Sequence, residues 1–274
     1  MKRSRRHALG QHFLSQPGVL GKIVRVIDPR PDEVVLEVGP GKGGLTALLA
    51  ARAGRVIGVE KDERLIPGLR ALRLDRTQIV EADILTADWA GLLERFGRGF
   101  ARAKLAGNIP YAISSPLLDR VLERRGLFVL CVFLVQKEFS EKLAAGPGSK
   151  SYGPLSIISQ RFFEVRRRFA VAPGSFTPPP RVESEVVSLV PLPAVERPVA
   201  DEAGLARFLH ACFAERRKTL ANNLVRLGST RPAAEAALAA AGLDPKARAE
   251  DVPGAAFVDL FERLGPTAGH GQAR

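Results

Sequence analysis

Asn108-Ile109-Pro110-Tyr111, preceded by Gly107, is the stretch whose residue types and spacing carry the most chemistry. It follows the short apolar run Lys104-Leu105-Ala106 and precedes a helix-like segment, Ser114-Ser115-Pro116-Leu117-Leu118, which places it on a strand-to-helix turn. Its residues supply a side-chain amide, a fixed turn, a carbonyl that can point into a pocket, and an aromatic face. Those parts hold a planar base by its amino edge. The exocyclic nitrogen of adenine is a poor nucleophile, because its lone pair is delocalised into the ring. Asn108 Oδ1 and the Pro110 carbonyl can each accept one of its N–H bonds and so direct the lone pair at a methyl donor. Pro110 fixes its own φ near about −65°. Tyr111 can stack on the base, worth roughly 1–3 kcal/mol, which offsets part of the few kcal/mol needed to unstack a base from RNA. Such a transfer requires no metal and no strong general base. In isolation the same residues also read as a plain Asn-X-Pro turn with a core tyrosine.

The elements upstream must position this turn and bring it a donor. Val34-Val35-Leu36-Glu37-Val38 reads as a buried strand that runs into Gly39-Pro40-Gly41-Lys42-Gly43-Gly44 and then a helix over 45–53. A strand, a glycine-rich turn and a helix begin a doubly wound α/β sheet. The next strand, 55–59, ends in Glu60, at the spacing of a carboxylate that grips a ribose. A third, 78–81, leads to Asp83 and Ile84, where a carboxylate can accept from an adenine amino group. The fourth carries the Asn108 turn, and the fifth, 127–135, is apolar throughout, as a strand buried on both faces is. The glycine turn admits two ligands. Gly39, Gly41 and Gly43 with an acid before them suit S-adenosylmethionine, whereas Gly39, Gly41 and Gly44 also satisfy the dinucleotide spacing. No histidine-centred hydride-transfer constellation accompanies it.

Further along, Gly146-Pro147-Gly148-Ser149-Lys150-Ser151-Tyr152-Gly153 reads as a mobile segment before a helix at 154–158. A strand reaching Val171 carries Arg166, Arg167 and Arg168, and a last strand spans 185–190. Pro191, Pro193 and Pro198 mark a linker. Beyond it the pattern is helical, with Leu205, Phe208, Leu209, Cys212 and Phe213 on one face, an Ala-rich helix over 232–241 and another over 255–264. The expected organisation is therefore an α/β domain over 1–192, with a basic N-terminal arm, and a smaller all-α domain over 193–274 with a disordered tail.

The 274 residues carry 41 Lys and Arg against 29 Asp and Glu, a net charge of +12, so an anionic partner is expected, nucleic acid first. Arg216, Arg217 and Lys218 are the basic cluster chosen for phosphate contact, ahead of Arg124-Arg125 and Arg166 to Arg168. The two cysteines, Cys131 and Cys212, have neither metal-ligand nor disulfide-framework spacing, which fits a reducing cytoplasm. The basic start lacks the apolar stretch of a signal peptide, and no run approaches a membrane span.

With these residues laid out, the chain resembles the small-subunit ribosomal RNA adenine dimethyltransferase family, the KsgA type, relatives of the erythromycin-resistance rRNA methyltransferases. The resemblance covers nearly the whole chain. Its carriers are Gln11-His12-Phe13-Leu14, Glu37-Val38-Gly39-Pro40-Gly41, Asn108-Ile109-Pro110-Tyr111, Gln136-Lys137-Glu138, Pro147-Gly148-Ser149-Lys150, the run Phe176-Thr177-Pro178-Pro179-Pro180-Arg181-Val182-Glu183-Ser184, Arg216-Arg217-Lys218-Thr219-Leu220 and Asp244-Pro245-Lys246-Ala247-Arg248. It implies a Rossmann-like class I methyltransferase domain using S-adenosyl-L-methionine. His12 and Leu14 would border the donor site with Gly39, Gly41, Glu60, Asp83, Ile84 and Asn108, and Phe176 would face the target base opposite Tyr111. It also implies N6,N6-dimethylation of two adjacent adenines in a hairpin loop near the 3′ end of 16S rRNA, within a pre-30S particle, by a cytoplasmic enzyme taken as a monomer. The helical domain would help dock that particle. Two residues depart from the family's usual pattern: Ile109 replaces Leu, as in the resistance enzymes, and His12 replaces Asn. Ile109 favours a large-subunit target, while 147–152 and the long helical region favour the small subunit.

Overall fold

The computed structural model describes residues 12–265. The basic N-terminal arm, Gln11 and the polar tail lie outside the described residues. The chain divides into two compact units: one built from the chain up to Ser140 with Phe163–Pro191, the other from Glu141–Phe162 with the chain from Leu192 onward.

The first unit is a seven-stranded sheet with helices packed on it. In chain order its elements are β1 (Phe13–Leu14), α1 (Pro17–Ile27), β2 (Glu33–Val38), α2 (Gly44–Ala50), β3 (Arg55–Glu60), α3 (Ile66–Ala71), β4 (Thr77–Glu81), α4 (Trp89–Phe96), β5 (Arg102–Asn108), α5 (Ser114–Glu123) and β6 (Leu130–Gln136). After the excursion into the second unit, through α6 (Lys137–Ala144) and α7 (Pro154–Phe162), come β7 (Phe163–Val171), β8 (Phe176–Thr177) and β9 (Ser184–Pro191). The strand order is β4-β3-β2-β5-β6-β9-β7, with β4 to β6 parallel in sequence of pairing and β9 antiparallel to both its neighbours. Every residue of β2 is buried, the apolar Val34, Val35, Leu36 and Val38 together with the two glutamates Glu33 and Glu37, as in a strand covered on both faces. β6 begins at Leu130 rather than 127, because Arg125–Leu127 close a 3-10 turn first.

The order reverses at β2: β3 and β4 lie to one side and β5 to the other. That leaves a crevice at the carboxyl ends of β2 and β5, the switch point where open α/β sheets take ligands. Gly107 is required here, since a Cβ on it would stand 2.6 Å from the Val38 carbonyl oxygen of the adjacent strand. β1 pairs antiparallel with β8, Leu14 opposite Phe176, and so carries the N-terminal segment to the loop before β9.

At the amino end of the same strands, Lys104 is 6% exposed and lies 2.6 Å from Glu33 Oε2. Its ammonium also donates to the carbonyls of Ile27 and Asp28 at 3.0 and 2.7 Å. These bonds take up orphan carbonyls where α1 ends. α1 itself is amphipathic, with Pro17 in its first turn and Leu20, Ile23, Val24 and Ile27 on its buried face.

The second unit holds α6 from Glu141 onward, α7, α8 (Glu202–Cys212), α9 (Leu220–Arg226), α10 (Arg231–Ala240) and α11 (Gly254–Leu264). The expected boundary at 192/193 leaves out the excursion at 141–162. Tyr152 and Ile157 belong to the same buried cluster as Phe208, Leu209, Cys212 and Phe257, which draws that excursion into the helical unit. The glycine-rich segment 146–153, read as mobile, is tied down: Gly148 N–H donates to the Glu250 carbonyl at 2.7 Å and the buried Tyr152 hydroxyl to the Val252 carbonyl at 3.0 Å. Among the described residues no helix is long and apolar enough to cross a membrane.

Candidate active site

The crevice has two adjoining lobes, of about 370 and 510 Å³, within the size range of small-molecule sites. His12, Gly39, Glu60, Pro110 and Tyr111 line both. Leu14, Gly41, Asn108 and Phe176 line the first; Asp83 and Ile84 line the second. All the residues expected for donor and target therefore meet in one place, although β1, the glycine turn, three strand ends and the segment before β9 contribute them. Arg216, Arg217 and Lys218 belong to the helical unit, on the loop between α8 and α9.

The glycine turn adopts left-handed φ at Gly39 and Gly41, +59° and +63°, which only glycine takes without strain. A Cβ on Gly39 would meet no protein atom within 4 Å and would stand in the crevice, so the bare backbone is the wall of the site. Glu60 is 5% exposed and braces this turn: Oε2 accepts from Gly41 N–H and Oε1 from Asp62 N–H, both at 2.9 Å. It was expected only to take ribose hydroxyls. A carboxylate has about four lone-pair sites, so two remain for a ligand. Asp83 is likewise partly engaged, with Oδ1 accepting from Leu85 N–H at 2.9 Å and Oδ2 from Lys61 Nζ at 2.7 Å. The Lys61 ammonium holds the Asp83 carboxyl below its usual range.

At the target turn, Asn108 ends β5 and its Nδ2 donates to the His12 carbonyl at 2.8 Å. With the amide nitrogen tied back, Oδ1 is left as the acceptor. The Pro110 carbonyl, expected to receive an amino hydrogen, already accepts from Ile113 N–H at 3.0 Å and offers its second lone pair. Tyr111 is fixed by its hydroxyl, 2.9 Å from Ser184 Oγ on β9, and the His12 ring lies 5.9 Å from its centroid at 33°. His12 Nδ1 is 2.8 Å from the Pro178 carbonyl oxygen. Phe176 is 4% exposed and packs in the core cluster with Leu20, Val24 and Val186 while lining the first lobe.

One residue of the site escaped selection from sequence. Glu37, in β2, lines the first lobe, is 2% exposed, and its Oε2 has no hydrogen-bond partner. Its pKa is raised to about 8, first by burial and further by the Glu60 charge, with the Thr46 hydroxyl of α2 acting against both. The available signal was an acid inside a run of buried apolar residues, where an ionised group is costly. Cys131 and Cys212 are buried, with thiols pushed up by that burial, and neither lines the crevice.

The basic clusters divide. Arg166 pairs with Glu164, Arg167 with Glu185, and Arg168 donates to Ser188 Oγ, so these side chains bond within the sheet. Arg216 pairs with Glu250 at 2.9 Å and donates to the Lys150 carbonyl. Arg217 and Lys218 are exposed and carry no ion pair among the described residues.

The sequence model of the family described as ribosomal RNA adenine dimethylase matches residues 2–265. A relative from Geobacter metallireducens, named ribosomal RNA small subunit methyltransferase A, is 46% identical over 249 residues, covering 89% of this chain and 90% of its own. One of the same name from Xanthomonas campestris is 39% identical, covering 92% and 94%. Among solved structures, a dimethyladenosine transferase from Plasmodium falciparum superposes with a TM-score of 0.75 at 28% identity, covering 93% of this chain and 98% of that one. The 23S rRNA methyltransferase ErmE gives 0.70 at 29%, covering 92% and 99%.

Proposed function

The chain belongs to the ribosomal RNA adenine dimethylase family, and on that premise we propose how its crevice carries out S-adenosylmethionine-dependent dimethylation of adenine N6 in small-subunit rRNA. The residues fit the donor: bare backbone at Gly39, carboxylates at Glu60 and Asp83 with lone pairs to spare, the apolar wall at Ile84, and the unpaired Glu37 oxygen toward positive charge. When bound, the donor supplies a methyl group already activated on a sulfonium. Gly39, Gly41, Glu60, Asp83 and Ile84 hold it, with His12 and Leu14 closing the first lobe.

The observation that carries the reading is the bond from Asn108 Nδ2 to the His12 carbonyl, which fixes the neighbouring Oδ1 as an acceptor in the first lobe. Asn108 Oδ1 and the Pro110 carbonyl take the two amino hydrogens, and Tyr111 and Phe176 stack on the ring. The bound donor would give its methyl group to the amino nitrogen as its C–S bond breaks, and the nitrogen would then lose one proton to water. After one methylation a single N–H remains. Pro110 keeps its bond from Ile113 N–H when the amino contact is lost, so it is the acceptor given up at less cost; Asn108 is retained for both transfers. Replacing the Ile113 N–H by an ester oxygen should slow the second transfer and spare the first.

The finer target is two adjacent adenines in a hairpin loop near the 3′ end of 16S rRNA, reached in a pre-30S particle by a monomer, with exposed Arg217 and Lys218 on phosphate. Labelled methyl transfer to separated small- and large-subunit precursors, with mapping of the modified bases, tests this. Label confined to the large subunit would replace it with the resistance-type reaction, which Ile109 favours.

A further inference from the structure

We propose that Glu37 holds a proton while the donor site is empty and gives it up when the cationic donor enters, so that donor uptake is coupled to proton release. The inference rests on the S-adenosylmethionine reading of the crevice and deepens it by assigning Glu37, which lines the first lobe, a role in proton linkage.

The argument begins with geometry. Glu37 is the fifth of six buried residues in β2, set between Gly58 of β3 and Ala106 of β5, neither of which offers a polar side chain. Its Oε2 is buried without a hydrogen bond, and the site it lines is where a ligand must lie to face Asn108. A buried carboxylate with no partner costs several kcal/mol as an ion and is neutralised by taking a proton.

The groups around it do not supply a counter-charge. From β3, Glu60 is a second acid and opposes ionisation. From α2, Thr46 brings only a hydroxyl, itself buried without a hydrogen bond. From the glycine turn, the Lys42 ammonium is drawn over the Phe13 ring, 5.1 Å from its centroid, and is exposed. From the N-terminal segment, the His12 ring is engaged at the Pro178 carbonyl. From β5, Asn108 is neutral. Lys104, the one buried ammonium of the sheet, is bound to Glu33 at the opposite strand ends. No ion pair reaches Glu37 among the described residues. A ligand that brings positive charge into the first lobe is therefore the missing partner, and S-adenosylmethionine brings an ammonium and a sulfonium. On its entry the carboxylic acid becomes a carboxylate and the proton passes to solvent.

The sign follows from linkage. The raised folded-state pKa of about 8 means that below it the donor must displace a proton, so affinity climbs with pH up to that value and then levels. The test is calorimetric titration of S-adenosylmethionine into the full chain, in buffers of different ionisation enthalpy, from pH 6 to 9. Wild type minus Glu37→Gln cancels the donor's own amino titration. The expected difference is close to one proton released per donor at pH 7, vanishing above pH 9, with wild-type affinity rising about tenfold per pH unit between 6 and 7 and the variant flat. Equal proton release by wild type and Glu37→Gln would overturn the proposal while leaving donor binding intact. Absence of any donor binding would instead remove the reading on which it rests.

Discussion

Glu33 and Glu37 stand four residues apart on β2, on the same face of the strand, and each is 2% exposed. Their environments are opposite. Glu33 has the Lys104 ammonium at 2.6 Å and the Arg30 N–H at 3.1 Å, and it closes the amino end of the sheet. Glu37 has a second acid nearby and an oxygen with no hydrogen bond, at the carboxyl end where the strand order reverses. Two glutamates of equal burial thus do different things. A buried charge whose partner is built into the fold holds elements together; one whose partner is missing marks where a ligand of opposite charge belongs.

The comparison breaks most readily at its paired half. Lys104→Met leaves Glu33 buried without its counter-ion, and unfolding in urea at pH 7 should show a loss of about 3–5 kcal/mol. Donor affinity of the folded variant should be unchanged, since the pair lies at the far strand ends. The unpaired half should respond with the opposite sign. Glu37 holds its proton more tightly folded than unfolded, so its stabilising contribution is present below the ordinary carboxylate range and is lost as pH rises toward about 8. Glu37→Gln has no such loss. In donor-free protein its stability relative to wild type should rise by on the order of 2–4 kcal/mol between pH 4 and pH 8, measured by urea unfolding at the two values. A difference that stays constant with pH would make Glu37 an ordinary core residue.

Smaller effects sharpen the picture at the target turn. Tyr111→Ala should lower kcat/KM on rRNA by roughly 10- to 100-fold, the worth of one stacked base. Tyr111→Phe, which loses only the Ser184 hydrogen bond, should cost about fivefold. The smallest change is expected at the exposed Lys61, whose pairing with Asp83 is solvent-screened. Lys61→Ala should alter donor affinity less than about fivefold in a binding titration, and a larger loss would make this surface ion pair part of the donor site.

Much of this molecule is local in sequence. The run Val34-Val35-Leu36-Glu37-Val38, the glycines after it and the acids at the next two strand ends are each read from neighbouring residues, because a strand, a tight turn and a helix start are decided within a few positions. The Asn108 turn is legible for the same reason. So is the helical character of the C-terminal region, where apolar residues recur at helical spacing. The segment 146–153 misled, since its glycines and prolines describe the turns correctly but say nothing of the buried Tyr152 that anchors them.

What tertiary structure decided is partnership across distance. The bond from Asn108 Nδ2 to the His12 carbonyl joins residues 96 apart, and the pairing of β1 with β8 brings Leu14 opposite Phe176. Lys104 could have been assigned to either glutamate of β2; register with β5 sets it opposite Val35, midway between them, and its ammonium turns to Glu33 and the Ile27 and Asp28 carbonyls at the end of α1, which leaves Glu37 without a counter-ion. Sequence fixes which groups are available and which short turns they occupy. Whether a buried charge meets its counter-ion depends on strand order and register, which are set by packing of the whole sheet, and that is why the role of Glu37 becomes visible only in the folded chain.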